Sequence, residues 1–211
     1  SAALKILDFP ISSSVAINGF TCVAVYGAIE FAGYAPVCLD LGRNSNLNFS
    51  AETLGKAIEK NTNIRAVVVQ NTFGYPSDIQ NIERICKKND LILIEDLAHC
   101  VGTQYINGKE AGTVGDMTIL SFSQNKIIDA VSGGALVIRN KKYQNHKANI
   151  DYLKPKSQLK DRIYPLVAYK IRSFYKYGVG KSYHFILRKL NLLSNIMSDD
   201  FYDFYSLPDW Y

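Results

Sequence analysis

Lys126 closes the stretch Ser121-Phe122-Ser123-Gln124-Asn125-Lys126, and thirty positions upstream stands the acidic run Ile94-Glu95-Asp96-Leu97-Ala98-His99. Each stretch follows a short apolar run that reads as a buried strand, so Asp96 and Lys126 are both expected just past strand ends. In an open parallel sheet, ligands bind outside the carboxyl ends of the strands. An amine, a carboxylate and a hydroxyl gathered at that edge fit a pyridoxal 5'-phosphate site. The amine of Lys126 would form the Schiff base, Asp96 would keep the pyridine nitrogen protonated, and the Ser121 hydroxyl would bind phosphate.

Taken singly, these residues say little. A lysine after a strand is usually a solvated surface residue. Asp96 could equally be a helix N-cap or a loop hydrogen-bond acceptor. Its position after an apolar strand adds weight, because an unpaired carboxylate is costly to bury and a cationic ring would pair with it. His99, one turn further on, could hydrogen-bond the phenolic oxygen of the cofactor. Gly133-Gly134 could let backbone approach a ligand or could simply form a turn.

The elements that must position these residues follow a βαβαβ rhythm. Strands are expected at Ser14–Ile17, Pro36–Asp40, Ala66–Gln70 and Leu91–Glu95, then at Met117–Ser121 and Ala135–Ile138. Thr21 offers an N-cap for a helix running to Ala32 before Gly33. Ser50 can cap a helix with Leu54, Ala57 and Ile58 on one face, and Ser77 or Asp78 can start another with Ile79, Ile82, Ile85 and Cys86 at helical spacing. Residues 102–115, polar and glycine-rich, are expected as loop or hairpin. This alternation predicts an α/β fold: a mostly parallel sheet with helices on both faces.

Two regions are expected along the 211 residues: a cofactor-binding core at 1–150 and a basic aromatic helical segment with its tail at 151–211. The net charge of +5 is uneven. Between Asp151 and Leu192, ten Lys or Arg face two Asp, leaving the rest of the chain slightly acidic. Gly178-Val179-Gly180 is expected to break this segment into two helices. Its aromatics sit at helical spacing without a nucleic-acid motif, so nucleic-acid binding is not expected. Packing of these helices on the sheet or on a second subunit is the plainer reading, and weak contact with an anionic membrane surface through 152–193 the alternative. Cys22, Cys38, Cys86 and Cys100 lack metal-like spacing, so no metal site is expected and reduced thiols are. No signal-peptide pattern opens the chain, and a cytoplasmic location is expected.

The run ILIEDLAHCVGTQYINGKEAGTVGDMTILSFSQNKIIDAVSGGALVI resembles the core of the DegT/DnrJ/EryC1/StrS family of pyridoxal-phosphate sugar aminotransferases. The Asp-x-Ala-His run, the Gly-x-x-Gly-Asp turn, Ser-Phe-x-x-x-Lys and the Gly-Gly pair come in the family's order. Asn18-Gly19-Phe20-Thr21, Phe73-Gly74 with Asp78, and Ser1-Ala2-Ala3-Leu4 resemble three further family segments. The resemblance covers roughly residues 1–140.

This resemblance implies a fold-type I transferase large domain with a seven-stranded-type sheet, truncated here. It implies Lys126 as the Schiff-base lysine and proton shuttle, Asp96 at the pyridine nitrogen, and His99 near the ring oxygen. Ser121 and the backbone at Ser1 and Ala2 would hold phosphate. Cys22 stands where an aromatic usually stacks on the ring, Asn71 where many members have His, and Gly27 where many have Asn. The implied reaction moves an amino group from an amino acid, glutamate by resemblance, to a nucleotide-linked keto-sugar, with a homodimer when full length. Related dehydratases carry His in place of the lysine, so Lys126 argues against that branch. Neither the segment preceding the phosphate helix nor the smaller C-terminal domain is found in the chain. A truncated core, inactive alone, or a non-catalytic scaffold is therefore also expected.

Overall fold

The computed structural model describes residues 2–42, 47–146 and 154–194. Of these, the residues within Ser1–Ser121 and Gly134–Ile150 pack as one compact unit, and those within Phe122–Gly133 and Asp151–Tyr211 as a second. The tail from Asp199 to Tyr211 and residue Ser1 lie outside the described residues.

The first unit is built on one sheet. Its strands are β1 (Ser14–Asn18), β2 (Ala35–Leu39), β3 (Ile64–Val69), β4 (Ile92–Asp96), β5 (Met117–Ser121) and β6 (Gly134–Ile138), in the order β2-β1-β3-β4-β5-β6. All neighbours are parallel except β5 and β6. The described residues thus form six strands of the mostly parallel sheet that the sequence predicts. Asn18, Val69, Asp96 and Ser121 are the last residues of β1, β3, β4 and β5, so parallel pairing brings all four to one edge.

Helices cover both faces, as the sequence rhythm predicts. Strand alternation sends Ala16, Val67, Val69 and Leu93 toward Leu54 of α3 (Ala51–Lys60) and Ile79, Ile82 and Cys86 of α4 (Ile79–Lys88). Val15, Ile17, Ala66, Val68 and Ile94 turn the other way, onto α1 (Ala2–Leu7) and Ile29 of α2 (Val23–Phe31). Leu54 and Ile82 are fully buried, and each such side chain stabilises the fold by about 1.5–3 kcal/mol.

The start signals are met unevenly. Ser50 caps α3 as expected, its hydroxyl accepting the Thr53 N–H at 3.1 Å. Thr21 does not cap α2: Cys22 holds the N-cap position without a side-chain bond, and the Thr21 hydroxyl instead donates to Gln70 Oε1 at 2.6 Å. Asp78 precedes α4, but its carboxylate accepts from the Asn81 side chain rather than capping the backbone. Gly134 is a close approach, since a Cβ there would lie 2.5 Å from the Leu120 carbonyl.

In the second unit, α5 (Pro155–Ser173) and α6 (Val179–Lys189) pack against each other across a short 3-10 turn. Helix α5 begins with proline at its amino end, where a missing N–H costs nothing. The segment 122–133 belongs to this unit. Ser132 donates to Asp161 of α5 at 2.5 Å, the Ser194 hydroxyl donates to the same carboxylate at 2.6 Å, and Gln124 donates to the Ser194 carbonyl at 3.3 Å.

Candidate active site

Asp96 ends β4 in the middle of the sheet and is buried. Its Oδ1 accepts the Ala98 N–H at 2.9 Å, which turns the chain away from the strand and fixes the carboxylate. The loop hydrogen bond that the sequence allowed for Asp96 is therefore present, and it orients the group. Cys100 folds back beneath it, donating its thiol to the Asp96 carbonyl at 3.3 Å. Burial, reinforced by the Asp96 charge, pushes the Cys100 thiol up to about 12, so it stays protonated.

Three residues past Asp96, His99 is exposed on the wall of a cleft of about 220 Å³. Phe20, Thr21, Cys22, Gln70, Thr72 and Phe73 supply the rest of the wall. The Thr21–Gln70 bond ties the loop after β1 to the end of β3, and Asn18 adds a second tie by donating to Thr72 Oγ1 at 3.1 Å. Phe20 and Phe73 meet edge to face with centroids 6.1 Å apart.

Phe73 sits at φ +54° and Asn71 at φ +41°, two non-glycine residues in the left-handed region beside the cleft. Such backbone costs of order 1–3 kcal/mol each and persists only where surroundings enforce it. Asn71 is enforced from both sides: its amide donates to the Tyr105 hydroxyl at 2.9 Å, and its Oδ1 accepts the Ser77 N–H at 2.9 Å.

Next to Asp96 in the chain stands a group that the sequence reading passed over. Glu95 is fully buried and accepts from the Tyr105 hydroxyl (2.7 Å) and from the N–H groups of Gly112 (2.6 Å), Val114 (2.7 Å) and Gly115. Arg139 of the strand end after β6 lies 3.6 Å from the same carboxylate. The Gly-x-x-Gly-Asp turn is thus wrapped around a buried anion. A signal for it exists, because Leu93, Glu95 and Leu97 alternate on one face and both leucines are core residues.

The remaining candidates are distributed as follows. Ser121 is half-buried at the carboxyl end of β5, and Ala2 begins α1. Cys22 is exposed on the cleft wall. Lys126 is half-buried in the segment after β5, its N–H donating to the Ser123 carbonyl at 3.2 Å. The first unit therefore brings Asp96, His99, Cys22 and Ser121 to one sheet edge, while Lys126 belongs to the second.

Residues 1–171 match the DegT/DnrJ/EryC1/StrS aminotransferase family. The chain belongs to that family. It is 35% identical over 135 residues to GDP-perosamine synthase of Vibrio cholerae, covering 64% of this chain and 36% of that protein. It is 34% identical over 139 residues to the putative pyridoxal phosphate-dependent aminotransferase EpsN of Bacillus subtilis, covering 64% and 35%. Among solved structures, the aminotransferase TlmJ from Streptoalloteichus hindustanus matches with a TM-score of 0.59 at 29% identity, covering 65% of this chain and 36% of that one. The chain spans little more than a third of the length of these curated DegT-family relatives.

The donor set at the sheet edge fits the DegT-family cofactor. A buried, oriented carboxylate suits a protonated heteroaromatic nitrogen, and an imidazole three residues on suits a ring oxygen. The cleft's two phenylalanine rings offer the apolar surface that Cys22 does not.

Proposed function

We propose that the protein transfers an amino group from an amino acid to the ketone of a nucleotide-linked sugar, using pyridoxal 5'-phosphate. The observation that carries this reading is the buried Asp96 carboxylate, held by the Ala98 N–H at the end of a central parallel strand and followed by His99 on the cleft wall. Family membership and the name of the perosamine synthase relative support the sugar-nucleotide substrate. Glutamate as donor, action as a homodimer and a cytoplasmic location complete the reading.

When bound, the cofactor supplies an electron sink beside the carbon that exchanges its proton. Asp96 holds the proton on the pyridine nitrogen, because its negative charge in a buried setting disfavours the neutral ring. His99 binds the ring oxygen and limits rotation of the ring. Ser121 and the backbone N–H at Ala2 bind phosphate, with Ser1 in the same role. Lys126 would hold the cofactor through Nζ and, when free, would take the proton from the amino-bearing carbon of the donor and in the second half-reaction give one to the sugar carbon that receives the amine. Phe20 and Phe73 exclude water from the ring face, the role that the residue at Cys22 usually has.

Reductive trapping tests the assignment. The protein is treated with pyridoxal 5'-phosphate and borohydride, digested, and its peptides weighed. The label is expected on the peptide containing Lys126. A label on another lysine, with Lys126 unmodified, would overturn the reading.

A further inference from the structure

The α5–α6 hairpin has its large apolar side chains on the outside. Its backbones meet closely at Gly180, which is buried and where a Cβ would collide with the Ile171 carbonyl and lie 2.7 Å from the Tyr175 N–H nitrogen. Tyr164, Val167, Ile171 and Leu187 are half-buried. On the opposite side of α5, Leu159, Ile163, Leu166 and Tyr169 recur at intervals of three and four and are 40–71% exposed. Val179 and Ile186 of α6 share one stripe with Leu190 just past its end and are 51–61% exposed, and no residue of α5 is buried. A helix pair bathed in water normally presents polar side chains outward.

Cations surround this apolar surface. Residues 154–194 carry ten Lys or Arg and a single acidic residue, Asp161, whose carboxylate is taken by the Ser132 and Ser194 hydroxyls. We propose that the outer face of the hairpin docks on the surface of an anionic lipid bilayer. The aliphatic stripe enters the acyl boundary, and the stems of Arg162, Lys170 and Arg172 flank it with their charges at the headgroups. A second copy of the chain is the poorer occupant, since it would set one strongly cationic face against another. Nucleic acid would satisfy the cations and leave the leucines and isoleucines in water. Among the described residues no helix is long and apolar enough to cross a membrane, so the hairpin lies in the interface plane.

Sedimentation of the whole 211-residue protein with vesicles tests this. Vesicles of phosphatidylcholine mixed with phosphatidylglycerol are expected to carry the protein down, and vesicles of phosphatidylcholine alone are not. Binding should weaken with salt, as the screening length falls from about 10 Å at 0.1 M to about 3 Å at 1 M. Lys170→Gln with Arg172→Gln should weaken it roughly 25-fold, about fivefold for each cation removed. Leu166→Ser with Ile186→Ser should weaken it at low and high salt alike, with helical circular dichroism unchanged. Equal binding to both vesicle types, no binding to either, or a dimer in light scattering that the Leu166→Ser pair dissolves would each overturn the proposal. None of these outcomes bears on the trapping experiment at Lys126.

Discussion

The Tyr105 hydroxyl donates to the Glu95 carboxylate at 2.7 Å while accepting from the Asn71 amide at 2.9 Å. One phenol therefore couples the turn after β3, where Asn71 and Phe73 hold left-handed backbone, to the strand that ends in Asp96. Burial, and then the Glu95 charge, pushes the Tyr105 phenol well above its usual range, so it remains a donor at every ordinary pH.

Tyr105→Phe should destabilise the first unit by about 1–3 kcal/mol, because it strips a partner from two buried groups at once. Glu95→Gln should cost more, about 3–5 kcal/mol, since the amide would point N–H groups at backbone N–H donors and leave Arg139 without its anion. Urea unfolding followed by circular dichroism measures both, and a Glu95→Gln midpoint equal to wild type would contradict the account.

Alkaline pH should destabilise the fold. Cys86 and Cys100 are pushed from 9.0 up to about 12, burial being the main cause in both. A thiol with a raised pKa holds its proton in the folded state after the unfolded chain has lost it. Stability is then fully present below about pH 9 and falls as pH rises from there toward 12, with Tyr105 adding the same sign above about 10. Urea midpoints at about pH 8 and about pH 11 should differ in that direction, and less so in Cys86→Ala. A midpoint that rises with pH would be incompatible with it.

Iodoacetamide should sort the four thiols by burial. Cys22 and Cys38 are exposed, while Cys86 and Cys100 are buried. Mass spectrometry of the native protein should find the first two carrying the adduct long before the others, and rapid modification of Cys100 would mean that the loop after β4 opens readily.

Asp96→Asn should leave the fold intact and depress amino transfer by roughly 10²-fold or more, the usual consequence of losing an electrostatic partner of the reacting system. The amide can still accept the Ala98 N–H, so the orienting bond survives while the charge does not. A full-length enzyme with this change and undiminished turnover would remove Asp96 from the proposed role.

The strand positions and the mostly parallel α/β class were legible because each strand is a short apolar run and the helices α3 and α4 show their apolar spacing. Ser50 worked as a cap because its partner, the Thr53 N–H, is three residues away. Thr21 failed as one because its hydroxyl finds Gln70, forty-nine residues on, and no local pattern announces such a competitor. Asp96 was visible as the polar end of an apolar run. Glu95, its neighbour, was masked by the same run, although alternation with Leu93 and Leu97 marks it as inward-facing. The basic aromatic stretch after 151 declared itself by composition. Which of its faces points outward did not, because helix α5 carries apolar residues on both sides.

The Ser132–Asp161 bond has a practical consequence for anyone trimming this protein. Removing residues 154–194 to improve solubility would delete Asp161 and Ser194, and with them the side chain and carbonyl that fasten Ser132 and Gln124. Those two residues bracket Lys126. A shortened protein that dissolves well could therefore lose its grip on the lysine, and a dead product would then report the surgery rather than the chemistry.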